Sequence, residues 1–195
     1  MLYFHGTPIA NITTLASPPG KALYLTPFRA YALFYIRDLQ VNHVTCGMTK
    51  EGVVIYDEQF PGQLRALYAG REGWLYTCEE GNFSPGNDPW IVTSDRTVPV
   101  TSAEFIPDAY EAITREIEAG TVRVRRYEDK TEEQKRDITG MTAYYILKNN
   151  HLGANTPKAR FYEHSFPAAW ACALENEANA QEYIAQWEKE HLSKR

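Results

Sequence analysis

Apolar positions along the chain recur with two periods, and the change from one to the other divides the molecule. Through roughly the first two thirds, short apolar runs are bounded by Gly, Pro, Asn or Ser, the pattern of strands broken by turns. Leu2 to His5 is such a run, ending at Gly6 and Pro8, and reads as a buried strand. Ile9, Ile12 and Leu15 then return at helical spacing before Ser17-Pro18-Pro19-Gly20, which predicts one short helix. Ala22 to Leu25 predicts a second strand. Thr26 and Pro27 predict the helix that follows, a capping side chain before a ring already fixed near helical φ. Phe28 to Ile36 is apolar almost throughout, so that helix is expected to be buried on most of its surface.

Further strands are expected at Val53 to Tyr56 and Trp74 to Tyr76, with a short helix at Gln63 to Tyr68 between them. Glu79 to Pro89 holds two Gly, two Pro and two Asn and reads as a loop. Ile91-Val92, Val98 to Val100 and Ala103 to Ile106 are short strands, and Pro107-Asp108 opens a helix through Tyr110, Ile113 and Ile117 that stops at Gly120. Val122 and Val124 add a last strand. From Glu128 to Asp137, eight of ten residues are charged, and no strand pattern returns beyond them. Helical spacing covers Ile138 to Leu147, Phe166 to Leu174 and Tyr183 to Leu192. The expectation is an α+β domain over residues 1–127 with a helical C-terminal extension, residues 128–195, packed on it. Glu128 to Asp137 would then be its linker.

Composition narrows the function classes. The 195 residues are 44 % hydrophobic and 23 % charged, as in ordinary globular proteins. A net charge of −5 argues against a surface that gathers nucleic acid. The basic stripe Arg123, Arg125 and Arg126 runs straight into Glu128 and Asp129 and reads as a solvated strand edge. Three widely spaced cysteines, no run of about 18 apolar residues and no secretory signal point to a reducing, cytoplasmic setting without a membrane partner. His43, Cys46 and Cys78 lack a fourth partner at a convincing spacing, so no metal site is expected. The loop near Gly86 fits neither a phosphate loop nor a dinucleotide fingerprint.

Three scattered pieces carry the chemistry. His5-Gly6-Thr7 ends the first strand, Tyr24 lies near the end of the second, and Glu104 lies in a later one. Breaking the bond between a pyridinium ring and ribose, as in NAD⁺, asks for aromatic faces around the ring, hydrogen bonds to its amide and a carboxylate beside the developing sugar cation. A tyrosine face can hold a pyridinium. A glycine lets its backbone N–H and C=O approach a carboxamide.

The chain resembles the His-Tyr-Glu type ADP-ribosyltransferases, the group that includes diphtheria toxin and the poly-ADP-ribose polymerases. In that group a strand ends in His-Gly-Ser or His-Gly-Thr, with an Asn often following; here the match is His5-Gly6-Thr7 with Asn11. The second motif, Gly-Lys-Gly-Ile-Tyr-Phe-Ala and a further tyrosine on the next helix, is matched by Gly20-Lys21-Ala22-Leu23-Tyr24-Leu25-Thr26 and Tyr35. A third, like Asn-Glu-Tyr-Ile-Val-Tyr-Asp, is matched by Ala103-Glu104-Phe105-Ile106-Pro107-Asp108.

The resemblance implies a split, mostly antiparallel β-sandwich with flanking helices over residues 1–127. It implies an NAD-dependent mono-ADP-ribosyltransferase with NAD as substrate, no metal, and a macromolecular acceptor, a protein. His5, Tyr24 and Glu104 would be catalytic, and His5, Gly6, Thr7, Asn11, Tyr24 and Tyr35 would bind the nucleotide. Glu104 would hold the ribose 2′-hydroxyl, and the loops at Glu79 to Pro89 and Ser94 to Thr101 would meet the acceptor. Ala32 stands where relatives often carry a Ser that bonds the nicotinamide amide. Ser102 stands where arginine-directed transferases carry Glu or Gln. Two other readings follow: a catalytically inactive NAD-binding or interaction module of the same fold, and an NAD glycohydrolase toxin that uses water as acceptor.

Overall fold

In the computed structural model the described residues are 1–17, 22–41, 43, 45–79 and 81–191. They form two compact units, one of Met1–Asp38, Val44–Glu58 and Gly62–Arg125, the other of Leu39–His43, Gln59–Pro61 and Arg126–Arg195.

In the first unit, strands β1 (Leu2–Thr7), β6 (Gly73–Glu79) and β10 (Ser102–Ile106) form an antiparallel sheet in the order β1-β6-β10. Alternation along β1 explains how it is layered, because successive side chains leave opposite faces. Tyr3, Tyr76 and Cys78 join Leu15, Leu23, Leu25 and Val98 in one apolar cluster. Phe4, Leu75 and Ile106 join a second and larger one with Leu33, Phe34, Tyr56, Tyr68 and Ile113. The sheet thus separates two cores.

Helix α1 (Arg29–Leu33) packs on the face with the larger core, where Ala30 to Leu33 are all buried. Helices α2 (Gln63–Tyr68) and α3 (Ala109–Glu118) contribute to the same core. Asp108 caps α3 by accepting from Glu111 N–H at 3.1 Å. A second sheet, β3 (Leu23–Leu25), β8 (Val92–Ser94) and β7 (Ser84–Pro85), is antiparallel in the order β3-β8-β7. A third combines β4 (Cys46–Met48) and β5 (Val54–Asp57) with β11 (Val122–Arg125), which pairs parallel to β5. Strand β2 (Thr14–Leu15) pairs with β9 (Val98–Pro99). The unit is therefore α+β with several small, mainly antiparallel sheets.

Three expectations for this unit need correction, and a fourth falls on residues that are not described. The segment Ile9 to Leu15 is not a helix: the Tyr76 hydroxyl donates to Ile9 C=O (2.9 Å) and accepts from Ile12 N–H (3.2 Å), Asn11 takes φ +59°, and Thr14–Leu15 joins a sheet. Thr26 does not cap α1, whose N-cap is Phe28; its hydroxyl instead accepts from Phe28 N–H and donates to Trp90 C=O. The loop Glu79 to Pro89 contains the short strand β7. Gly20-Lys21 and the Pro18-Pro19 turn lie outside the described residues.

The second unit is helical, with α4 (Glu132–Lys148), α5 (Pro157–Ser165), α6 (Pro167–Glu175) and α7 (Ala180–His191). The charged stretch read as a linker is half helix, because Thr131 and Gln134 form a capping box that starts α4 inside it. Helix α5, begun by Pro157 after the Thr156 cap, had no expected counterpart. Trp187 stacks on Tyr144 at 4.4 Å, and the Tyr144 hydroxyl donates to Glu188 at 2.8 Å, which ties α4 to α7. His43 sits among Phe161, Tyr162 and Phe166, with ring centroids 5.4, 6.4 and 5.5 Å away. Among the described residues no helix is long and apolar enough to cross a membrane.

Candidate functional site

Strands β1 and β3 are fastened to each other at one residue pair. Phe4 N–H donates to Thr26 C=O (2.8 Å) and Thr26 N–H to Phe4 C=O (3.1 Å), an isolated antiparallel bridge. Beside it lies a small hollow of about 10 Å³, whose lining includes His5, Gly6, Tyr24, Tyr31, Ala32 and Tyr35. Pockets that enclose drug-sized ligands run to ~300–1,000 Å³, so a ring enters this one only where the lining side chains move apart.

The Phe4 bridge fixes which way the backbone of β1 points. In an antiparallel ladder a residue's N–H and C=O leave the same edge, and neighbouring residues alternate edges. Phe4 turns both groups toward β3, so Tyr3, His5 and Thr7 turn theirs toward β6, and Gly6 again faces the β3 side. No pairing with β3 is formed there, and among the described residues no partner meets the Gly6 N–H and C=O. A glycine is required for a second reason: a Cβ on Gly6 would stand 2.0 Å from the Ala32 carbonyl oxygen of α1.

His5 Nδ1 lies 3.0 Å from the Tyr24 carbonyl. A carbonyl only accepts, so Nδ1 carries the proton and Nε2 of the neutral ring is an acceptor. Burial pushes the His5 pKa below its usual value, more strongly than the Tyr24 carbonyl holds it up, which keeps the ring neutral at pH 7. Tyr24 is 45 % exposed, whereas Tyr35 is half-buried. The Tyr35 ring lies 5.7 Å from that of Tyr31, and the Arg37 guanidinium sits 4.8 Å from its centroid. A second cation would therefore use the other face of Tyr35.

The remaining expected residues stand elsewhere. Thr7 is buried and its hydroxyl accepts from Ile9 N–H (3.3 Å), closing the turn after β1. Asn11 is exposed beyond that turn. Neither lines the hollow. Glu104 is registered opposite Leu75, which is opposite Gly6, so it shares the face of Gly6 two strands away, about 10 Å across the sheet. His5 leaves the other face. The Glu104 carboxylate accepts from Arg29 Nη2 at 2.8 Å, and the same guanidinium also binds Glu116, which accepts from the Thr121 hydroxyl at 2.6 Å. Glu104 is outside the lining of the hollow.

Two site residues went unread in the sequence although signals existed. Tyr31 precedes Tyr35 by one helical turn and belongs on its face. Arg29 is the single charge in the apolar run Phe28 to Ile36. Ile91, also in the lining, left no local signal.

The two loops expected to meet an acceptor border a separate open cleft of about 370 Å³, whose lining includes Asn82, Phe83, Arg96 and Thr97. Burial raises the Cys78 thiol to about 11 and Cys46 further, so neither is a thiolate at neutral pH. Among the described residues no group of three or more His, Cys, Asp or Glu side chains is arranged to hold a metal. No family model, curated protein or solved structure matches the chain.

Proposed function

We propose that the chain is an NAD-dependent mono-ADP-ribosyltransferase, with the hollow beside the Phe4–Thr26 bridge as its nicotinamide site. One observation carries the reading: His5, Gly6, Tyr24 and Tyr35 all line one small hollow, with Gly6 N–H and C=O left without a partner among the described residues. A primary carboxamide presents a carbonyl and an N–H₂ side by side and complements the Gly6 pair. The tyrosine faces favour the cationic ring. Thr7 and Asn11 take no part in this version of the site.

Buried Leu75 and helix α1 stand between Gly6 and Glu104, so a ribose attached to a ring held at Gly6 reaches Glu104 only where that packing opens. As the bond between C1′ and the ring nitrogen breaks, its electrons pass to the ring, nicotinamide leaves neutral, and positive charge develops on the sugar. The Glu104 carboxylate is assigned to stabilising that charge and holding the 2′-hydroxyl, with Arg29 fixing its orientation. A nucleophile of a macromolecular acceptor in the cleft by Asn82 and Arg96 then attacks C1′. Nicotinamide release from NAD⁺ by wild type and Glu104→Gln tests the assignment. The expected outcome is a loss of about 10²-fold or more, and equal rates would reject Glu104.

A second reading has its own support. Glu104 is engaged by Arg29 outside the hollow, and Ala32 offers no hydroxyl, as in a module that binds the nucleotide without turnover. Calorimetry separates the two, since NAD⁺ binding without nicotinamide release favours the module.

A further inference from the structure

One edge of the β1-β6-β10 sheet is left open. The Phe4 bridge sets the alternation: Tyr3, His5 and Thr7 turn their backbone groups toward Cys78, Tyr76 and Trp74 of β6, so Thr77, Leu75 and Gly73 turn theirs toward β10. Ser102, Glu104 and Ile106 stand opposite those three, and at the start of the strand the Thr77 carbonyl accepts from Thr101 N–H at 2.8 Å. Ala103 and Phe105 therefore turn both N–H and C=O outward, where among the described residues nothing pairs with them. Both residues are exposed.

The two faces at this edge differ in chemistry. On one, Phe105 is 48 % exposed, with its ring 5.2 Å from that of Trp74, which in turn stacks on Tyr76 at 6.3 Å. The other carries charge. The Glu104 side chain is 52 % exposed, and Arg29 is shared between the carboxylates of Glu104 and Glu116, two negative charges against one positive. A second copy of β10 fits this edge badly. In the antiparallel register that uses Ala103 and Phe105 of both strands, the two Glu104 carboxylates would stand opposite each other, and like charges so placed destabilise the pair. A cation at that position is favoured instead.

We propose that the outer edge of β10 docks an extended segment of a partner protein that carries Lys or Arg opposite Glu104 and an apolar residue just before it. The segment adds a fourth strand, antiparallel to β10. Its backbone exchanges hydrogen bonds with Ala103 and Phe105, and its basic side chain meets the Glu104 carboxylate. The apolar residue falls opposite Phe105 and covers the exposed ring beside Trp74. This surface goes beyond the nicotinamide reading and holds whether or not the chain consumes NAD⁺.

The test titrates the ¹⁵N-labelled, backbone-assigned full chain by NMR with the blocked peptide acetyl-Thr-Phe-Lys-Val-Thr-amide, and with the same peptide carrying Glu in place of Lys. The lysine peptide is expected to shift the Ala103 and Phe105 amide resonances and to bind about fivefold tighter than the glutamate peptide. Ala103→Pro removes an outward N–H and spares the bonds to β6, which an edge strand tolerates, and is expected to weaken the lysine peptide about fivefold or more. A lysine peptide that leaves both amides unmoved at millimolar concentration overturns the proposal, as does equal binding of the two peptides. Shifts of the same amides that grow with the concentration of the chain alone assign the edge to a second copy and overturn it too. The wild-type amide shifts need no variant, so an Ala103→Pro chain that fails to fold does not remove the test.

Discussion

At Gly6 two demands meet on one residue. The sequence presents it as a place where backbone approaches a ligand, and the structure adds that α1 leaves no room for a side chain. Gly6→Ala would set a methyl 2.0 Å from the Ala32 carbonyl, so α1 must move. Overpacking of this kind costs about 1–3 kcal/mol, and a lowered Tm together with lost nicotinamide binding is the expected result. His5 gives a pH dependence. Its folded-state pKa is depressed, so the neutral, accepting Nε2 is present above the ordinary imidazole range and is lost as pH falls through the folded value. NAD⁺ affinity measured by calorimetry from pH 7.5 down to 5 should weaken toward acid, and His5→Phe should flatten the profile.

At the scale of elements, legibility followed sequence distance. The helix at Gln63–Tyr68 and the one beginning after Asp108 were readable, since their caps, stops and spacing are local. The Ile9 to Leu15 segment was misread because the group that overrides its helical spacing, the Tyr76 hydroxyl, comes from β6, far along the chain. Thr26 had the chemistry of a cap, but its hydroxyl bonds to Trp90, again a remote residue. For the site, His5, Gly6, Tyr24 and Tyr35 were legible as a motif. Glu104 was legible as a residue but not in its pairing, since its tie to Arg29 joins β10 to α1. That tie is 37 % and 52 % exposed on its two sides, so solvent screens it. Arg29→Gln also removes the pair with the largely buried Glu116, so it is expected to lower stability by about 1–3 kcal/mol while changing the rate of nicotinamide release. A chemical melt and a release assay on the same variant check both halves.

Across the whole molecule, one buried imidazole sets how the helical unit responds to acid. His43 lies in the aromatic cluster with Phe161, Tyr162 and Phe166, and among the described residues its Nε2 has no partner. Burial, and to a smaller extent Lys158, lowers its pKa to about 4. The folded state therefore favours the neutral ring, and that contribution is present above about pH 6.5 and lost as pH falls toward 4. The loss amounts to about 3 kcal/mol at most. Melting the full chain between pH 7 and 4.5 should show it, and His43→Phe, which keeps an apolar ring in the box, should remove that part of the acid sensitivity.

The solitary fastening between Phe4 and Thr26 has a practical corollary. Because the strands part company there, the groups left facing the gap at Gly6 belong to the polypeptide itself, and swapping side chains cannot delete them. Exchanging the amide that enters Gly6 for an ester would strip the donor while keeping the glycine, and a ring that depends on it would then be released.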